Sequence, residues 1–195
     1  MGEDAAVAGI TLLERAINYL LGSLLLVTPE TLARPTPCAG WDLRALLAHL
    51  DDSLSALTEA VEAGAVGPAG GPRATGEPST VRAAATHLLG ALAGARYRVE
   101  VSVGGRPLTT AIVASTGAVE VAVHGWDVAQ ACGADRPIPE ALADELLDLC
   151  ALLVTDLDRP ARFATAVAVS PRADPGDRLL AFLGRKPYPL ISRAA

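Results

Sequence analysis

Aromatic side chains are scarce in this sequence, at 4% of 195 residues, although hydrophobic residues reach 51%. A core without rings must be filled by Ala, Leu and Val, which favours close-packed helices over a strand-rich sandwich. Cysteine is sparser still. Cys38, Cys132 and Cys150 are three in number, which argues against a disulfide framework, and they lack the short paired spacing of a zinc knuckle. There is no excess of basic charge: the net charge of −6 repels phosphate backbones, so nucleic acid is not an expected partner. Long apolar runs are missing too. The stretch 19–27 is too short to span a bilayer, and no basic segment followed by an apolar run and a cleavage site opens the chain. A soluble protein of the reducing cytoplasm, with no membrane partner, is the expectation.

What is present is helical periodicity. Ile10, Leu13, Ile17, Leu20 and Leu24 place a first helix over 5–27. A proline-punctuated link, 29–37, closes at Gly40, and Asp42 stands as an N-cap for a second helix over 42–63, with Leu43, Leu46, Leu47, Leu50, Leu54 and Leu57 as its stripe. Residues 64–77, rich in Gly, Pro and Ala, read as a loop. Ser79 or Thr80 is set to cap a third helix reaching Gly94, and a β-like stretch at 97–103 ends in the turn Gly104-Gly105. A fourth helix spans 108–132 and is stopped by Gly133; a fifth runs from Pro139 to Leu157. An extended piece at 165–169 and a short helix over 175–183 complete the chain. The expected architecture is all-α: an antiparallel four-helix bundle in one domain, 1–195, with the extra helix, the β-like stretch and the tail outside it.

The chemistry concentrates on the fourth helix. Glu120 and His124, four apart, lie within roughly 40° of each other around the helix and one turn apart. A carboxylate and an imidazole so placed can reach one ion at about 2.0–2.2 Å. Their neighbours Val119, Val121, Ala122 and Val123 are apolar, and an unpaired charge among them would be costly. His49, in mid-helix among apolar residues, is the natural third donor, since bundle-core metal sites draw on inward side chains of facing helices. Two histidines and one carboxylate leave positions open on the ion. Spacing alone is equally met by a solvated helix pair with a satisfied core histidine elsewhere.

Asp127 shares the face of His124 and is either a hydrogen-bond partner that orients it or a structural acid. Asp42 is explained as a cap, and Asp51 and Asp52 as surface acids. His87 reads as a partly buried structural histidine rather than a fourth nitrogen donor. Small residues at Ser53, Ala56, Gly117 and Ala131 either leave a cavity beside the ion or let helices pack closely. Trp41 and Trp126 are core or pocket walls. Cys132 is off the ligand face, and Cys38 and Cys150 are by default buried small hydrophobes. Arg44, Arg82, Arg96 and Arg98 are anchors for an anionic substrate or members of surface ion pairs.

The segment TPCAGWDLRALLAH at 36–49, the segment EVAVHGWD at 120–127, and a tail with AVAV at 166–169 and DRLLAFLGR at 177–185 resemble the signature blocks of one family. This is the mycothiol-dependent maleylpyruvate isomerase N-terminal domain family of the DinB-like metal-binding superfamily, and the tail is similar to that of its short, stand-alone members. The resemblance implies a four-helix bundle and a divalent metal, zinc as the usual ion with nickel or iron meeting the same donors, held at His49, Glu120 and His124. It further implies a metal-dependent transferase or isomerase in which a low-molecular-weight thiol, mycothiol or similar, is activated to attack a small electrophilic substrate. Two alternatives stay open at this point. One is a thiol-independent tailoring enzyme of secondary metabolism using metal-assisted cyclisation, hydrolysis or elimination; the other is a metal-binding module without catalysis. Substrate and oligomeric state are not fixed by the sequence.

Overall fold

The computed structural model describes residues 2–67, 74–94, 100–159 and 163–187. Among them are six α-helices and a small sheet, and the chain divides into two compact units, Met1–Arg136 and Pro137–Ala195. No helix among the described residues is long and apolar enough to cross a membrane.

In the first unit, α1 (Gly2–Leu24), α2 (Leu43–Ala63), α3 (Pro78–Gly94) and α4 (Thr110–Ala131) pack on one another: α1 meets α3 and α4, and α2 meets the same two. The expected stripes are the buried ones. Leu13, Ile17 and Leu20 of α1, and Leu46, Leu47 and Leu50 of α2, are almost wholly withdrawn from water, each such side chain contributing about 1.5–3 kcal/mol of transfer free energy. Two glycines set the approach of α1 and α4. A Cβ at Gly9 would lie 3.0 Å from the Ala111 carbonyl oxygen, and one at Gly125 would lie 3.1 Å from the Tyr19 ring and 3.3 Å from the Leu20 Cα. Residue 9 thus faces 111 while residue 20 faces 125, so α1 and α4 run in the same sense. On the other side, Leu57 faces Gly117 and His49 faces Glu120, so α2 opposes α4. Antiparallel packing therefore holds for α2 on α4 and not for α1 on α4. Helices that are not consecutive in the chain are free of the short-loop constraint that enforces it.

The link between α1 and α2 is ordered. Thr28 and Thr31 form a reciprocal cap on a 3₁₀ turn, Pro29–Thr31, and an isolated bridge joins Pro35 to Asp42. The Asp42 side chain accepts the Ala45 amide at 2.8 Å, as an N-cap should. Neither Ser79 nor Thr80 caps α3. The helix opens one residue earlier, at Pro78, whose missing N–H suits a first turn, and the Thr80 hydroxyl donates back to the Glu77 carbonyl. The segment expected to be only loop contributes β1 (Ala65–Val66), parallel to β2 (Glu100–Val103), which pairs antiparallel with β3 (Arg106–Thr109) across the Gly104-Gly105 turn. Of the β-like stretch at 97–103, residues 97–99 lie outside the described residues. Thr109 caps α4 through its hydroxyl to the Ile112 amide, and Gly133, at φ +76°, ends it.

In the second unit, α5 (Glu140–Leu153) packs on α6 (Pro175–Phe182), burying Leu142, Leu146 and Cys150 on one side and Leu179 and Leu180 on the other. α5 stops short of Leu157 because Thr155 and Asp158 cap a separate 3₁₀ turn, Asp156–Asp158. Within the stretch 165–169, the Val167 amide donates to the Ala181 carbonyl at 2.8 Å.

Candidate metal centre

α2 and α4 bring His49, Glu120 and His124 to one place. His49 lies at the edge of the α2 leucine stripe, between fully buried Leu46 and Leu50, so its ring leaves the core and reaches toward α4. Glu120 Oε1 is 2.5 Å from His49 Nε2 and 3.3 Å from His124 Nε2, and the three donor atoms lie within 4.8 Å of one another. The two imidazoles meet edge-on, their ring centres 5.2 Å apart. Their side chains differ in burial: His124 is 8% exposed, His49 and Glu120 about a third. The group is therefore rooted in the core and open to solvent on one side.

Asp127 pairs with His124 on the same helix. Its carboxylate is fully buried and its Oδ2 accepts from His124 Nδ1 at 2.9 Å, which leaves Nε2 directed at Glu120. A helical i,i+3 step is what makes this pair meet. The electrostatics follow from that chain of contacts. Burial by itself would lower the affinity of His124 for a proton, but Asp127, Cys38 and Glu120 outweigh it and raise the imidazole well above its ordinary value. Burial would likewise raise the Glu120 carboxyl, but hydrogen bonds from His124 and His49, and the charge behind them, hold it well below the usual carboxylate range. Glu120 is thus an ionised acceptor between two nitrogen donors.

Trp41 forms a wall. Its ring centre is 4.8 Å from that of His49 and 6.5 Å from that of His124, nearly parallel to the latter, while 37% of the residue remains exposed. Trp126 is a core residue. Cys38 departs from the expectation of an inert buried thiol: it is only half-buried and lies against His124 and Asp127. A loop residue carries no periodic signal, and the sequence cue was its place in the same short segment as Trp41. Cys132 is turned away, toward the Thr31 hydroxyl, and Cys150 is buried as expected.

His87 is corrected. It is exposed and pairs with Glu62 at 3.1 Å, because the buried face of α3 is Val81, Ala85, Leu88 and Leu92 and residue 87 falls off that stripe. Gly117 serves close packing, since a Cβ there would come within 2.8 Å of Leu57. Arg44 belongs to an exposed ion pair with Glu77, Arg82 is exposed, and Arg96 and Arg98 lie outside the described residues.

Neither a curated protein nor a solved structure matches this chain. A family does: the mycothiol maleylpyruvate isomerase N-terminal domain matches residues 13–129, a span that begins in α1, ends in α4 and includes all three donors together with Cys38, Trp41 and Asp127. With more than half its length so matched, the chain belongs to the mycothiol maleylpyruvate isomerase N-terminal domain family.

Proposed function

We propose that His49, Glu120 and His124 hold a divalent metal ion in a DinB-like four-helix bundle formed by α1–α4. We further propose that the protein is a metal-dependent enzyme using a low-molecular-weight thiol, mycothiol or a close analogue, for S-transfer to or isomerisation of a small electrophile. The carrying observation is the convergence of two imidazoles and one ionised carboxylate from facing helices, within a family that binds metal. The donor chemistry suits the ion: nitrogen and oxygen donors in this ratio match zinc, with nickel and ferrous iron also accommodated. A divalent ion there would lower the pKa of a thiol or water it binds.

The chain's own residues supply the rest. Asp127 holds the His124 ring through Nδ1, so that Nε2 faces Glu120. Glu120 stays ionised and offsets the charge of a cation. Trp41 covers one flank with an apolar plane, narrowing the approach and excluding water from part of it. The half-exposed edge formed by His49 and Glu120 is where a small thiol and its electrophile would enter.

Isothermal titration of the zinc-loaded protein with mycothiol tests the reading. Saturable binding that disappears in the metal-free protein and in Glu120→Gln is expected. Heat of binding identical with and without metal, or none in either, refutes the thiol role.

A further inference from the structure

His124 belongs to two donor groups. Beside the set with His49 and Glu120, a ring nitrogen of His124, Cys38 Sγ and a carboxylate oxygen of Asp127 also lie within 4.8 Å of one another. The two ring nitrogens divide the work: Nε2 faces Glu120 at 3.3 Å, and Nδ1 faces Asp127 at 2.9 Å. Ligands of one ion sit about 2.0–2.3 Å from it, so donors no more than 4.8 Å apart need only small side-chain shifts to converge.

Cys38 is held there by its loop. The Cys38 amide donates to Thr36 Oγ1 at 3.2 Å, the Thr36 hydroxyl donates to the Trp41 carbonyl at 3.0 Å, and the Trp41 amide returns to the Cys38 carbonyl at 3.1 Å. Gly40, at φ +82°, makes the reversal that closes this loop, and the Pro35–Asp42 bridge ties it to the start of α2. The sulfur is therefore placed by a braced backbone, half-buried, with a wholly buried carboxylate behind it.

We infer that Cys38, His124 and Asp127 form a second cation position, selective for a thiophilic divalent ion, that shares His124 with the first set. Sulfur changes the preference. Two imidazoles and a carboxylate suit zinc, nickel or iron, whereas a thiolate draws softer ions. Entry of such an ion breaks the Cys38 S–H bond and an N–H bond of His124, forms the sulfur–metal and nitrogen–metal bonds, and releases both protons to buffer. Cys38 is the accessible member, so the ion arrives past it. The inference goes beyond the proposed function and does not need the thiol chemistry.

Cadmium is the probe. The metal-free full-length chain is titrated with Cd²⁺ while the sulfur-to-cadmium charge-transfer band is followed in the ultraviolet, and iodoacetamide labelling of Cys38 is timed by mass spectrometry. The band is expected in the wild type and in Glu120→Gln, and absent in Cys38→Ser with at least a tenfold loss of Cd²⁺ affinity. Cd²⁺ should slow Cys38 labelling at least tenfold in the wild type, a readout that requires no variant to fold. No band in the wild type, a band unchanged in Cys38→Ser, or unprotected Cys38 overturns the inference. So does loss of the band in Glu120→Gln, which would make the sulfur a donor to the first set instead. Zinc binding lost in His49→Ala but kept in Cys38→Ser separates the two positions, so failure of one is not failure of the other.

Discussion

Asp127→Asn is the sharpest perturbation of the centre, because it preserves shape while removing charge. The wild-type carboxylate is fully buried and accepts from His124 Nδ1 at 2.9 Å. An asparagine oxygen can still accept that N–H, so ring orientation survives, but the negative charge that makes Nε2 a better donor is gone. Partners of this kind are worth about 10–100-fold in metal affinity, or about 1.4–2.8 kcal/mol. Competition with a chromophoric zinc chelator measures the change, and thermal unfolding of the metal-free variant guards against a folding defect. Asp127→Ala should also lower metal-free stability, by about 1–3 kcal/mol, through an unsatisfied buried donor. If folded Asp127→Asn binds zinc within twofold of the wild type, the argument that Asp127 acts through His124 is wrong.

Two further outcomes test the framework around the site. Gly125→Ala gains about 1 kcal/mol of helix propensity but drives a methyl against the Tyr19 ring and the Leu20 backbone. Tyr19 cannot yield easily, its hydroxyl being held by the Arg136 carbonyl at 2.6 Å, so overpacking of about 1–3 kcal/mol should prevail and the melting temperature fall. Burial pushes the Cys150 thiol from its ordinary 9.0 up to about 12. Below pH 9 both states keep the proton; above it the unfolded chain loses the proton first, so stability should decline by about 1.4 kcal/mol per pH unit until pH 12. Denaturant titrations at pH 8, 10 and 11 would read that slope, which Cys150→Ala should flatten; an unchanged slope in the variant would assign it to other groups.

The helices with a strong apolar stripe were legible in the sequence, and so were the caps whose side chains act locally, Asp42 and Gly133. The convergence of Glu120 with His124 follows from one helical turn, and His49 was found because an imidazole among leucines needs a reason. What the sequence hid is non-local. The parallel run of α1 and α4 depends on where two glycines meet a distant helix. The strand at Ala65–Val66 exists only because Ser102 and Val103 lie beside it. Cys38 reaches His124 through a loop closed by Thr36, Gly40 and Trp41, and no periodicity encodes that. His87 is exposed because a single position off the stripe is enough to turn a side chain outward.

The indole leaning over His49 and His124 gives this molecule a built-in optical gauge. Trp126, 4% exposed, should give a blue-shifted emission, while Trp41, 37% exposed, should emit under the influence of whatever occupies the space beneath it. A quencher such as paramagnetic nickel should dim the red-shifted component more than the blue-shifted one. Ligand arrival could then be timed in a stopped-flow instrument without attaching a dye.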